Sequence, residues 1–244
     1  MNERSLGVKG ELLSVVVPCY NEARILPGAL SGMWSGLKAL DVPFEMVICE
    51  NGSSDSTFLR AKEFQSSHPE VQVEQVSKPD YGLAVRRTIE VSQGEILIIL
   101  NADFWSVDFV RQALEELRHC DLVVTSKVMR GAKDRRPFFR RAITRAFNGF
   151  LRVFYGFRGT DTQGLKLFKR LSLQPVLSRC VTNHFIFDTE LVLRAQRRGL
   201  RIVEIPVEVR ELRPPSYRSL AGRVPGVLWN LAKLWVALRM SSKG

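Results

Sequence analysis

The chain has 244 residues, 45% of them hydrophobic, which is enough apolar material for a sizeable core and excludes a disordered or fibrous polypeptide. Its 36 Lys and Arg against 25 Asp and Glu give a net charge of +11, which points to anionic partners: nucleic acid, phosphorylated small molecules or acidic lipid. The four cysteines (Cys19, Cys49, Cys120 and Cys180) are far apart and form no CxxC pair, so they read as buried thiols of a reducing compartment, not as a zinc site or disulfide frame. In chain order, LLSVVVPCY (12–20) is an apolar, Val-rich strand, and EARILPGALSGMWSGLKAL follows at near-helical spacing. FEMVICE (44–50) is a second strand closed by the turn NGSSDS, and STFLRAKEFQSS is helical. VQVEQV (71–76) alternates as a third strand, LAVRRTIEVS is helical, and EILIIL (95–100) is a fourth strand. DFVRQALEELRHC is an amphipathic helix, and DLVVTSK (121–127) a fifth strand. This alternation predicts one α/β domain: a mostly parallel sheet with helices on both faces.

Such sheets bind ligands at the carboxyl ends of their strands. Tyr20-Asn21-Glu22, Glu50-Asn51-Gly52 and Asn101-Ala102-Asp103 each fall just past a predicted strand, so the fold would gather three polar clusters at one edge. Taken singly, each is also ordinary turn or helix-cap chemistry.

Several segments together resemble the inverting glycosyltransferases of family 2: VVVPCYNE, ENGSSDST, the Asn101-Ala102-Asp103 triplet after an apolar strand, DTQGLKLFKR, and FDTELVLRAQRRGLRIVEIPV. Within that family the chain resembles the dolichol-phosphate mannosyltransferase-like enzymes. The resemblance implies a GT-A fold, a Rossmann-like nucleotide-diphospho-sugar transferase architecture, over residues 12–217. Residues 1–11 would be a tail, and 218–244 an amphipathic, membrane-interfacial helix. It implies transfer of a sugar, with inversion, from GDP-mannose or a UDP-sugar to a polyprenyl or dolichyl phosphate.

On matching positions, Pro18, Tyr20 and Glu22 would line the nucleotide site, Glu50 would approach the base, and Asp55 is the later acid of that turn. Lys78 borders the donor. Asn101, Ala102 and Asp103 occupy the DxD position, where Asp103, with Asn101, would hold Mg²⁺ or Mn²⁺ against the diphosphate. Arg140 or Arg141, Asn148 and Asp161 fall on the acceptor side. The chemistry needs these types: a departing diphosphate gains negative charge that a cation or Lys and Arg donors stabilise, and a lipid phosphate is an anionic nucleophile that requires no strong base.

The chain departs from the family at informative places. Asn101 puts a neutral amide where a carboxylate is usual, Trp105 stands where relatives carry Gln, and Glu50-Asn51 replaces a pair of Asp residues. Either Asp103 holds the cation with diphosphate and water, or Lys127 and Arg130 take part of its role, or only donor binding survives.

Residues 127–145 carry eight basic side chains and one acidic. The first half reads as a loop closing over phosphates and the second, from Phe138, as a basic aromatic helix at an anionic membrane; a solvated face or a nucleic-acid groove has the same composition. No nucleic-acid module signature accompanies it, so nucleic acid is not an expected partner, whereas a membrane subunit is. From Ser219 to Met240, Leu220, Val224, Val227, Leu228, Leu231, Leu234, Trp235 and Leu238 form one broad stripe, edged by Arg223, Lys233 and Arg239, that suits either the core or a bilayer surface. Tyr217 replaces a Lys that would contact phosphate. No apolar run approaches the ~20 residues of a membrane span and no apolar leader opens the chain, so the expected location is cytoplasmic, peripheral to a membrane. The three histidines are isolated, and His184 reads as structural or acceptor-side.

Overall fold

The computed structural model describes residues 10–209 and 217–240, with side chains described from Val224 onward in the last segment. Residues 1–9 of the tail, Tyr217 as a phosphate contact, and Leu220 and Arg223 of the C-terminal stripe lie outside the described residues or side chains. The elements are β1 (Leu13–Cys19), α1 (Leu26–Lys38), β2 (Phe44–Asn51), α2 (Thr57–Ser66), β3 (Val71–Val76), α3 (Tyr81–Val91), β4 (Ile96–Ile99), α4 (Val107–Glu116), β5 (Leu122–Ser126), β6 (Lys133–Asp134), α5 (Phe138–Tyr155), β7 (Lys166–Lys169), α6 (Arg170–Leu177), α7 (His184–Arg197), β8 (Ile202–Pro206), β9 (Glu208–Val209) and α8 (Tyr217–Met240).

Seven strands form one sheet in the order β3-β2-β1-β4-β7-β5-β8, and β7 alone runs antiparallel to its neighbours. Strand alternation divides the apolar runs between two cores. Leu13, Val15 and Val17 of β1 join Ile96 and Ile98 of β4 on the face covered by α1, α2 and α4. Val16, Leu97 and Ile99 face the other way, toward α3, α5, α6, α7 and α8. This two-sided burial is why β1, β2 and β4 read as unbroken apolar runs. The expected mostly parallel, helix-covered sheet is what forms, and β7 and β8 extend it beyond the five strands expected from the sequence.

All four cysteines are free and buried, and burial pushes the thiols of Cys49 and Cys180 up to about 12. The C-terminal stripe splits into two faces. Leu231, Leu234 and Leu238 are buried in the second core, with Val227 packed against it, whereas Val224, Leu228 and Trp235 are exposed. The Tyr155 hydroxyl donates to the Leu231 carbonyl at 2.8 Å, which ties α5 to α8. Among the described residues no helix is long and apolar enough to cross a membrane.

Candidate active site

The strand order reverses direction between β1 and β4, where doubly wound sheets open a crevice at their carboxyl ends. A cleft of about 480 Å³ lies there, lined by Pro18, Tyr20, Glu22 and Asn51 on one side and by Asn101, Asp103, Gln163 and Asp188 on the other. The turn after β4 is pinned by two backbone bonds, Asn101 N–H to the Phe104 carbonyl at 3.1 Å and Phe104 N–H to the Asn101 carbonyl at 3.0 Å. They fix Asp103 at the cleft, while Ala102 is buried in the core. Trp105 does not line the cleft. Its ring packs on α1 so closely that a Cβ at Gly32 would lie 2.6 Å from its Cη2.

The two turns on the β1–β2 side are laced together. Asn21, at a φ of 52° that Asn tolerates better than most side chains, accepts the Ser54 N–H at 2.8 Å through Oδ1 and donates its own N–H to Ser53 Oγ at 2.9 Å. The Glu22 N–H reaches Thr57 Oγ1 at 2.8 Å, and Asp55 accepts from the N–H groups of Ala23 and Thr57. Desolvation alone would raise the Asp55 carboxyl; the hydrogen bonds from Thr57 and Ala23 outweigh it and hold the group below its ordinary value. Asp55 is therefore a tie between turns and lines neither pocket described here. Glu50 is buried, with its carboxylate taken by the Ser53 N–H and, at 2.9 Å, by the Gln75 amide. The neighbouring Asn51 lines the cleft instead. Lys78 is exposed on the connection from β3 to α3, beside Pro79, which does line the cleft.

On the other side, Lys127 and Asp161 form a buried ion pair at 2.9 Å, and the Lys127 ammonium also donates to the Gln163 carbonyl at 2.5 Å. Burial pushes the Asp161 carboxyl up, but Lys127 and the Gln163 and Lys127 N–H groups prevail and hold it below its ordinary range. A second pocket of about 430 Å³ opens beyond this pair, lined by Lys127, Arg130, Lys133, Arg135, Arg141 and Arg145 among others. Lys127 and Gln163 thus form a wall between the two cavities. The Nε of Arg141 is buried and makes no hydrogen bond within the protein. Arg140 lies one position earlier on α5 and is not part of this lining. Asn148 is buried on the same helix with neither its Oδ1 nor its Nδ2 partnered.

Sequence reasoning missed Tyr81, Gln163 and Asp188. Asp188 lies at the cleft on α7, accepts from the Tyr81 hydroxyl at 3.2 Å, and pairs with the fully buried Lys166 at 3.1 Å. Burial, then the charge of Asp188, pushes the Tyr81 phenol up and keeps it a donor. The signal was present: an Asp inside the apolar FIFDTELVL run of a buried helix needs a partner. His184 also lines the cleft, at a φ of 52°. Among the described residues no group of three or more His, Cys, Asp or Glu is arranged to hold a metal ion. The Asp103 carboxylate and Asn101 amide still suit a hard cation that draws its other ligands from diphosphate and water, as Mg²⁺ commonly does.

The family model for glycosyl transferase family 2 matches residues 14–177, about two thirds of the chain and the whole cleft edge of β1, β2 and β4. The chain belongs to this family. Glycosyltransferase AglD of Haloferax volcanii is 29% identical over 207 residues, covering 82% of this family member and 33% of AglD. The dolichyl-phosphate beta-glucosyltransferase ALG5A of Trichomonas vaginalis is 28% identical over 213 residues, covering 82% and 66%. The chain therefore spans about one third and about two thirds of these relatives' lengths. Among solved structures, glucosyl-3-phosphoglycerate synthase from Mycobacterium tuberculosis, in complex with Mn²⁺, UDP and glucosyl-3-phosphoglycerate, superposes with a TM-score of 0.69 at 19% identity, over 93% of this chain and 80% of that one. This family 2 member shares the GT-A fold with it.

Proposed function

We propose that this family 2 glycosyltransferase moves a sugar, with inversion, from a nucleotide-sugar donor to a polyprenyl phosphate at a membrane surface. The observation that carries the reading is the pairing of two cavities across one wall: a cleft lined by the carboxylates of Glu22, Asp103 and Asp188 with several amides, beside a pocket whose charge is overwhelmingly cationic. The named functions of the curated relatives agree with a lipid-phosphate acceptor.

In this reading the donor lies along the carboxyl ends of β2, β1 and β4. Its nucleoside rests against Tyr20 and Pro18, and its diphosphate is at Asn101 and Asp103. A divalent cation held by Asp103 and Asn101 would neutralise charge on the departing diphosphate. The acceptor phosphate enters the basic pocket, where the buried Arg141 Nε offers an unused donor. A phosphate oxygen, already anionic at neutral pH, attacks the anomeric carbon as the bond to the diphosphate breaks, so the chain supplies orientation and charge and no base. Asp188, compensated by Lys166 and Tyr81, would accept from sugar hydroxyls.

The membrane part of the proposal rests on where exposed apolar side chains concentrate. Of sixteen large exposed hydrophobics among the described residues, eleven lie on α5 and α8, including Phe138, Val153, Phe154, Trp229 and Met240. The two helices are joined through Tyr155, and α5 carries Arg140, Arg141, Arg145 and Arg152 beside its apolar face. A basic, aromatic two-helix surface suits an anionic bilayer.

The test is transfer of labelled sugar from a panel of nucleotide sugars to dolichyl phosphate in vesicles, with soluble phosphoglycerate as the competing acceptor. Label in the lipid fraction, with release of nucleoside diphosphate, is expected; label only in the soluble phosphate ester would overturn the lipid assignment.

A further inference from the structure

Three carboxylates line the cleft, those of Glu22, Asp103 and Asp188. Glu22 comes from the turn after β1, where its N–H is tied to Thr57, and in the reading above Asp103 faces the diphosphate. That leaves Asp188, beside the donor sugar, as the carboxylate placed to take a proton from whatever attacks there. The protein surrounds it with groups that oppose this use. The Lys166 ammonium lies 3.1 Å from its Oδ1, and the Tyr81 hydroxyl lies 3.3 Å from Oδ1 and 3.2 Å from Oδ2.

Lys166 has nowhere else to put its charge. It opens β7, is fully buried, and donates to the Gly164 carbonyl at 2.7 Å. Gly164 packs so tightly on β5 that a Cβ there would lie 2.0 Å from the Thr125 carbonyl oxygen. Asp161, the other buried carboxylate of this wall, is held by Lys127. Protonation of Asp188 would therefore leave Lys166 buried without a counter-charge, which a desolvated ammonium strongly opposes. A cation fixed at contact distance favours the ionised carboxylate and makes it a weak base. Asp188 held in this way accepts hydrogen bonds from sugar hydroxyls without removing their protons.

We infer that Lys166 restricts the acceptor to an oxygen that is already an anion, by keeping Asp188 from serving as a general base for water or an alcohol. This rests on the nucleotide-sugar reading above. Water or an alcohol must give up a proton as its oxygen bonds to the anomeric carbon and the bond to the diphosphate breaks, the electron pair leaving on the nucleoside diphosphate. An ionised phosphate oxygen makes the same bond with no proton to give up. The ion pair thus suppresses hydrolysis of the donor, the side reaction open to any cleft that water enters, and leaves transfer to phosphate available. Lys166 acts through Asp188 and is a positioning residue.

The experiment follows nucleoside diphosphate release by the full chain from a panel of nucleotide sugars, in vesicles that contain dolichyl phosphate, dolichol or neither, with thermal melting as the folding control. Wild type should form product with dolichyl phosphate and none with dolichol, and its release in plain vesicles should be slower by about a hundredfold or more, the range that an absent general base accounts for. Lys166→Met should raise release in plain vesicles by about tenfold or more, and adding Asp188→Asn to it should return release to the wild-type rate. The dolichol arm needs no variant, so it tests the inference even where Lys166→Met does not fold. Transfer to dolichol by wild type, a folded Lys166→Met that hydrolyses no faster, or a gain that survives Asp188→Asn would each overturn the inference while leaving the transferase reading intact. Failure of a well-folded wild type to release nucleoside diphosphate with dolichyl phosphate from any donor would overturn the transferase reading along with it.

Discussion

Around the β1–β2 edge of the cleft, the turns are held by hydrogen bonds from backbone N–H groups: Asn21 with Ser53 and Ser54, Glu22 with Thr57, and the Asp55 carboxylate with Ala23 and Thr57. Around the β5–β7 edge, the framework is buried charge: Lys127 with Asp161 and Lys166 with Asp188. The first arrangement contains no Lys or Arg partner and, in the proposed reading, seats the nucleoside. The second holds buried cations, each oriented by one carboxylate, which makes each carboxylate costly to lose and, in the proposed reading, suits an anionic acceptor. The proposed two-substrate site is thus assembled from two kinds of bonding, and each kind has its own failure mode.

The sharpest way to break that contrast is Asp161→Asn. It leaves Lys127 buried without its counter-charge, and removal of one member of a buried pair typically costs about 3–5 kcal/mol. Chemical denaturation should show a loss of that order, with much of it restored by pairing the change with Lys127→Met. The pH dependence has a defined sign. Asp161 is held below its ordinary value in the folded protein, so its contribution is complete above the unfolded value of about 3.9 and fades as pH falls through the folded value. Asp161→Asn should therefore flatten the acid limb of the stability profile.

Asp55→Ala probes the β1–β2 side. It removes exposed hydrogen bonds between turns and should cost about 1 kcal/mol in the same denaturation experiment. A loss as large as that of Asp161→Asn would erase the distinction between the two edges. Phe154→Asp, on the exposed face of α5, should change stability by no more than about 0.5 kcal/mol. It should nonetheless weaken flotation with anionic vesicles, an effect that distinguishes a bilayer-facing side chain from a merely tolerated one.

Much of the β1 to β5 half was readable from the chain because its signals are local. Apolar runs closed by Tyr20-Asn21, Glu50-Asn51 and Asn101-Ala102-Asp103 declare both a strand and what it delivers to the edge. β7 was not readable: its LKLFKR run places Lys166 in a fully buried position, which only its contacts with Asp188 and the Gly164 carbonyl explain. Asp188 and Tyr81 are 107 residues apart in the chain, and no local pattern joins them. Trp105 stands where relatives carry Gln, and no local pattern says that its ring is taken up by the space that Gly32 leaves on α1. The C-terminal stripe was a single face in the sequence because helical periodicity records hydrophobicity without saying what covers it. The structure divides it between core and surface.

The division of labour across the Lys127–Gln163 wall is the centre of the account, and steady-state kinetics of Arg141→Ala test it most directly. With a nucleotide-sugar donor and dolichyl phosphate in vesicles varied in turn, the account predicts an acceptor KM raised about tenfold or more, as expected for loss of a charge-assisted phosphate contact, and a donor KM within about twofold of wild type. A raised donor KM with an unchanged acceptor KM would place the diphosphate in the basic pocket and contradict the assignment of the two cavities.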